Sequence, residues 1–294
     1  MNIKLLKGLI MADEPSLFKV CSEYMEQKYG KANSVIAENF CFAIGTLPIL
    51  LIAHLDTVLD NPPKQIYANQ GHNIWTADKG LGADDRAGLF AILTLLAHNE
   101  KLPSVLFTLG EEAGGVGAHE FTEIFPKPPV EIKYVVQIDR RGKGQAVYYN
   151  CANEDFENYI NSFGFTTYQG IFTDISIICP IWKIAGVNLS AGYEGEHTYG
   201  EVLYLDYLQE TIEAVQRMID DIDNAPVYEF KNREYIHCSK CKRPIHEYFS
   251  IKIGYKHFCF QCLQEITNVC EECGNLFFPS SENDKYCGEC RKCC

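Results

Sequence analysis

The chain has 294 residues, of which 47% are hydrophobic and 22% charged, and a formal net charge of −13. That length suits one large domain with a smaller companion, and no apolar run approaches the roughly 20 residues that span a bilayer. Residues 1–230 hold 16 Lys+Arg against 31 Asp+Glu, and residues 231–294 hold 10 against 8, so the acidic first part argues against nucleic acid as its direct ligand.

Met1 to Lys7 carries two lysines and a short apolar patch, then runs into Asp13 and Glu14 without a small-residue cleavage site. It reads as mature protein, with the cytoplasm as the expected location. Leu17, Val20, Cys21, Tyr24, Met25 and Tyr29 recur at helical spacing, which predicts a packing helix over 11–30. Ser34 to Phe42 alternates loosely and reads as a strand, paired through a turn at Gly45 with the next one. That next strand, Ile49 to Ile52, leads into Ala53-His54-Leu55-Asp56-Thr57-Val58. A continuous apolar run of this kind predicts a buried central strand. His54 and Asp56, two residues apart, then leave its carboxyl end on the same side, where open α/β sheets place their ligands. The imidazole is a good metal ligand, and the carboxylate can orient its ring.

Residues 60–80 are rich in turn formers, with a small hairpin expected around Asn69-Gln70-Gly71. Gly80 to Gly88 carries Asp84 and Asp85 at the start of an apolar helix, Leu89 to His98. Paired acids there can cap the helix or hold a metal rigidly. A strand over 104–109 ends in Gly110-Glu111-Glu112, and one over 132–138 ends in Asp139. A strand at 146–150, a helix near 155–163, the segment Thr173-Asp174 and a strand at 186–190 follow. The last of these ends toward Glu196-His197-Thr198, ahead of a long helix over 203–223. Alternating strands and helices with polar residues at strand ends predict a mainly parallel mixed sheet with helices on both faces, an α/β fold. Two histidines and three carboxylates suit a pair of zinc or other divalent ions, and one carboxylate can bridge two such ions.

The ordered set A-H-L-D-T-V, G-A-D-D-R-A-G, G-E-E, I-D and E-H-T resembles the co-catalytic zinc exopeptidases, the clan of bacterial leucyl aminopeptidases, peptidase T and the glutamate-releasing zinc carboxypeptidases. The resemblance spans roughly residues 10–225. It implies that His54 and Asp139 bind one metal, that Glu112 and His197 bind the other, and that Asp84 bridges both, with a cis peptide to Asp85. It implies Asp56 as the residue orienting His54 and Glu111 as general base. Thr173 and Asp174 resemble a pair near the substrate site in relatives. Many relatives insert a lid or dimerisation domain, whereas the intervals between ligand candidates leave no room for one here. A lidless catalytic part closer to the aminopeptidase branch follows, acting on a peptide or small amide.

Composition changes after Asn224-Ala225-Pro226, which divides the chain into a catalytic domain over 1–228 and a zinc-binding region over 229–294. Cys21, Cys41, Cys151 and Cys179 are scattered and read as buried thiols. The other ten cysteines crowd into the last 57 residues. C-x-x-C pairs without a signal peptide favour zinc over disulfides. Cys238, Cys241, Cys259 and Cys262 form one set and Cys270, Cys273, Cys287 and Cys290 a second, as in zinc ribbons, each holding a structural zinc. Pairing in sequence is expected, cross-bracing is the alternative, and His237, His246 and His257 are substitute ligands. Cys293 and Cys294 are spare. Two four-thiolate zinc sites would turn the tail's formal +2 into about −2, which favours protein interaction or control of substrate access over phosphate binding. Competing functions are an adaptor on the same fold with its activity lost, a different amidohydrolase, or a nucleic-acid factor acting through the ribbons.

Overall fold

The computed structural model describes residues 1–149, 153–231, 235–246, 250–253, 256–274, 276–279 and 284–292. Cys151, Cys293 and Cys294 lie outside them. The chain forms two compact units, Met1–Asn232 and Arg233–Cys294.

The first unit opens with two helices, α1 (Ile3–Ile10) and α2 (Glu14–Tyr29). The expected single helix over 11–30 is α2. Asp13 caps it by accepting the Ser16 amide at 2.9 Å, and Pro15 occupies its first turn. The preceding α1 was not expected; Asn2 caps it, and Leu6, Leu9 and Ile10 are its buried face. Strands β1 (Ser34–Ile36), β2 (Phe40–Ala43) and β3 (Leu47–His54) follow, then β4 (Tyr67–Ala68), β5 (Ile74–Thr76) and helix α3 (Ala83–His98). Next come β6 (Pro103–Thr108), α4 (Val116–Ile124), β7 (Tyr134–Arg140), β8 (Gln145–Val147), α5 (Glu154–Asn161) and β9 (Thr166–Tyr168). Helix α6 (Ile175–Trp182), β10 (Gly186–Ser190), β11 (Tyr193–Glu194), β12 (Val202–Tyr204) and α7 (Leu205–Asp220) complete the unit.

Eight strands form one sheet in the order β1-β2-β6-β3-β7-β10-β8-β9. Its centre, β6-β3-β7-β10, is parallel. The mixed, mainly parallel α/β fold read from the sequence is therefore present. One pairing differs. Residues 34–42 split into the hairpin β1–β2, and β2 lies against β6 rather than β3. The turn at Gly45 crosses the start of β6 instead of folding back: the Thr46 and Leu47 amides both donate to the Leu102 carbonyl. Glycine is required there, because a Cβ would stand 2.2 Å from that oxygen.

Side chains alternating along β3 divide between two cores. Ile49, Leu51 and Ala53 join the cluster under α1, α2, α3, α5 and α7. Leu50 and Ile52 join the cluster under α4 and α6. A four-stranded sheet, β11-β12-β5-β4, stands beside the main one. Among the described residues no further domain is inserted, and no helix is long and apolar enough to cross a membrane.

The second unit is built of short pieces: β13 (Tyr235–His237) with β14 (Pro244–His246), β15 (Ile251–Ile253) with β16 (Lys256–Phe258), helix α8 (Phe260–Gln264), and β17 (Asn268–Val269) with β18 (Leu276–Phe277). Its apolar cluster holds few residues, among them Phe258 and Leu263, and includes the thiols of Cys238 and Cys262.

The second core of the first unit turns on Phe121, which contacts Phe40, Phe42, Phe125 and Trp182 with ring centroids 5.0–5.4 Å apart. Phe121→Ala should cost about 3–5 kcal/mol, read as a lower urea midpoint with an unchanged slope.

Candidate metal centre

His54 ends β3, which lies between β6 and β7. The register sets His54 beside Thr108 at the end of β6, and Ile52 beside Gln137 shortly before Asp139. The parallel strands therefore bring one imidazole and the carboxylates after β6 and within β7 to a single edge. Asp84 comes from the first turn of α3, where its peptide to Asp85 is cis. His197 comes from the loop between β11 and β12, with φ +61°.

Asp84 stands between the two imidazoles. Its Oδ1 lies 3.2 Å from His54 Nε2, and its Oδ2 lies 3.2 Å from His197 Nε2. Asp139 Oδ1 completes the first side at 3.4 Å from His54 Nε2, and Glu112 Oε1 the second at 2.8 Å from His197 Nε2. Adjacent donors around a tetrahedral zinc with bonds of about 2.0–2.1 Å stand roughly 3.3 Å apart. Three of the four spacings match that edge, and the donor set, imidazole plus carboxylate on each side, suits zinc or a similar divalent ion. The residues therefore fit two neighbouring cations.

Charge points the same way. His54 is buried, yet the carboxylates of Asp139, Asp56 and Asp84 outweigh desolvation and raise its pKa well above the ordinary value. Asp84 and Glu112 lift His197 to about 9 against its partial desolvation. Burial, with Asp139, Asp174 and Glu112 nearby, pushes Glu111 up to about 8 despite the opposing effect of His54. So many carboxylates at one place call for positive charge between them.

The supporting shell shows how the donors are aimed. Asp56 Oδ1 lies 3.4 Å from His54 Nδ1, and its two oxygens accept the Glu111 and Glu112 amides at 3.3 and 3.1 Å. Asp56 thus sets the His54 ring, whose Nδ1 also lies 3.2 Å from the Asp56 backbone carbonyl, and the turn carrying the two glutamates. Asp85 faces inward, accepting the Gly88 and His54 amides at 3.0 and 3.3 Å. At Asp139, Oδ2 accepts from Thr173 Oγ1 (2.7 Å), Gln137 Nε2 (3.1 Å) and Asn188 Nδ2 (3.3 Å). Tyr193 donates to its Oδ1 and backbone carbonyl. The donors on Oδ2 leave Oδ1 toward His54.

Asp84, Glu111, Glu112, Asp139 and His197 line a cavity of about 570 Å³, walled by Tyr149, Phe172 and Arg141. Thr173 and Asp174 do not line it. Thr173 is buried behind Asp139, and Asp174 is buried with Thr108 Oγ1 donating to it at 2.6 Å. Neither side chain therefore reaches the cavity in this structure; Thr173 supports Asp139, and Asp174 accepts from Thr108.

Gln137, Asn188 and Tyr193 were missed from the sequence. Gln137 and Asn188 had a readable signal, polar side chains inside otherwise apolar strands.

In the second unit the thiols group as Cys238-Cys241-Cys259-Cys262 and Cys270-Cys273-Cys287-Cys290, each set with its sulfurs within 4.8 Å of one another. None of the eight is in a disulfide. The Cys287 and Cys273 amides hold Cys270 down at about 6. Cys238 also lies at about 6, where the Cys259, Cys241 and Lys240 amides overcome desolvation. A thiol held low is a ready thiolate ligand. His237 and His257 belong to neither group, and the side chain of His246 lies outside the described residues.

Residues 44–171 match Peptidase family M28. That stretch contains His54, Asp84, Glu111, Glu112 and Asp139 and stops short of His197. Over this stretch the match agrees with the resemblance to the co-catalytic zinc exopeptidases and supports a metallopeptidase. Comparison with curated proteins finds no match. Among solved structures, the chain is similar to the aminopeptidase PepT from Bacillus cereus, with 16% identity, 75% of this chain and 98% of that chain covered, and a TM-score of 0.57. A tripeptidase from Staphylococcus aureus gives 16%, 76%, 98% and 0.58. An aminopeptidase from the archaeon Desulfurococcus kamchatkensis gives 16%, 76%, 97% and 0.58. At that identity the likeness establishes the fold.

Thr173→Val should lower metal affinity by roughly 10–100-fold, read by zinc competition with a chelator. Thr173→Ser, which keeps the hydroxyl, should restore it. Wild-type affinity in the valine variant would remove Thr173 from the supporting set.

Proposed function

We propose that residues 1–228 form the catalytic domain of an aminopeptidase-type exopeptidase, hydrolysing a peptide or small amide at a pair of zinc ions. The observation that carries this reading is Asp84, with one oxygen toward each imidazole and a separate carboxylate, Asp139 or Glu112, beside each. His54 and Asp139 would hold one ion and His197 and Glu112 the other, with Asp84 contributing to both. When bound, such a pair acidifies a water and polarises the scissile carbonyl.

The chain's own residues then account for the remaining chemistry. Glu111 lines the cavity beside Glu112. It takes the proton of the attacking water and passes it to the leaving nitrogen. Asp56 keeps both glutamates in place through their amides. The similar aminopeptidases from Bacillus cereus and Desulfurococcus kamchatkensis favour attack at the amino end. The intact donor set weighs against a silent adaptor.

Residues 229–294 are proposed as a region of two structural zinc sites, one per four-thiol set, serving protein contact or substrate access rather than nucleic acid. A cytoplasmic, reducing location suits so many thiols outside disulfides.

Glu111→Ala should retain metal and lose roughly 10²–10⁴-fold in hydrolysis of a peptide library. Hydrolysis at the wild-type rate would sink this mechanism. Stripping the tail zinc from the full chain should abolish amide exchange protection across 235–292 while β3 stays protected, because the metals supply most of the tail's folding energy. Persistent protection of the tail would show that it folds without them.

A further inference from the structure

Glu201 is a buried carboxylate that the chemistry above does not use. It is 2% exposed, and no cationic side chain pairs with it among the described residues. Its Oε2 accepts the amides of Leu81 (3.0 Å) and Gly82 (2.6 Å), and its Oε1 accepts those of Ala83 (2.9 Å) and Asp84 (3.1 Å). These four successive amides lead into α3, whose backbone is non-helical at Asp84 and Asp85. The residue in the capping position is Gly82, at φ +67°, and it has no side chain to satisfy them. A carboxylate from far along the chain does so.

The position of Glu201 gives this cap a second consequence. It lies four residues after His197, at the end of the same loop. Its backbone is fixed by β5: Thr76 Oγ1 donates to the Glu201 carbonyl at 3.0 Å, and the next residue, Val202, pairs with Thr76. His197 itself is the least supported donor of the centre, with a side chain 48% exposed and a left-handed backbone. Asp84, its neighbour across the proposed ion, belongs to the segment that Glu201 grips. One side chain thus ties together the two segments that supply Asp84 and His197.

We propose that Glu201 is a positioning residue that sets the spacing between Asp84 and His197 and so shapes the metal position they share with Glu112. The proposal rests on the reading of these three residues as ligands. Glu201→Gln is nearly isosteric, but its amide must turn an N–H₂ group toward two backbone N–H groups, so half of the grip becomes repulsive. Removing a group that orients a ligand weakens metal binding by roughly 10–100-fold.

The test uses the full zinc-loaded chain. Zinc release into a colorimetric chelator is followed first, and zinc freed only after thiol modification is assigned to the tail. Cobalt is then added back to the emptied centre and its visible spectrum recorded. Glu201→Gln should keep the wild-type far-ultraviolet circular dichroism and tail zinc, release zinc from the centre at least tenfold faster, and give displaced cobalt bands. A purely structural cap would leave those bands unmoved. Wild-type release and wild-type cobalt bands in the variant would overturn the proposal, whatever its activity. Should Glu201→Gln fail to fold, Glu201→Asp keeps the charge on a shorter arm. It should release zinc at an intermediate rate, and wild-type release would again overturn the proposal. Wild-type protein that yields only tail zinc would overturn the ligand assignment itself, and this inference with it.

Discussion

The structure depends on one electrostatic constraint: Asp84 must present an oxygen to each of two imidazoles while Asp56, Glu111, Glu112 and Asp139 stand close by. Carboxylates at such density repel unless cations or hydrogen-bond donors separate them. The fold meets this by division of labour. Three donors hold the far oxygen of Asp139 and leave the near one toward His54. Both oxygens of Asp56 are engaged by amides, and Asp85 faces the backbone. What stays open toward the cavity is a small set of oriented lone pairs rather than a diffuse negative patch.

Parallel strands make that arrangement economical. With β6, β3 and β7 in parallel register, residues far apart in sequence end at the same edge, and the helices on both faces bury what lies behind it. His54 and Asp139 need no long loops to meet. His197 and Asp84 lie off the main sheet's strand ends, and there the protein relies on side-chain anchorage instead.

These physical differences also decide how much could be read from the chain alone. A charged group is costly to bury, so acids or histidine at the tip of a buried apolar run point to a cleft. His54, Glu111, Glu112 and Asp139 were legible for that reason. Sheet order was not. An antiparallel neighbour for β2 was expected from proximity to β3, yet β6 takes that place, because nothing in a local pattern encodes which strand arrives between two others. Thr173 and Asp174 resembled a pair near the substrate site in relatives, and only the folded chain shows the Thr173 hydroxyl donating to Asp139. Asn188 was missed, although a polar residue inside an apolar strand is a signal the sequence carries. The four-thiol groups were legible because their donors are close in sequence.

That last contrast, local donors in one unit and scattered donors in the other, has a consequence for how the protein matures. The tail sets close within residues 238–262 and 270–290, so each can capture an ion as a short loop. The centre in the first unit draws its donors from residues 54 to 197, and none of its groups exists until the sheet has assembled around them. Metal acquisition would therefore report on different events in the two units: on the local ion supply in the tail, and on completed folding in the first unit. The tail donors are thus brought together by short loops, whereas those of the first unit are brought together only by the assembled sheet.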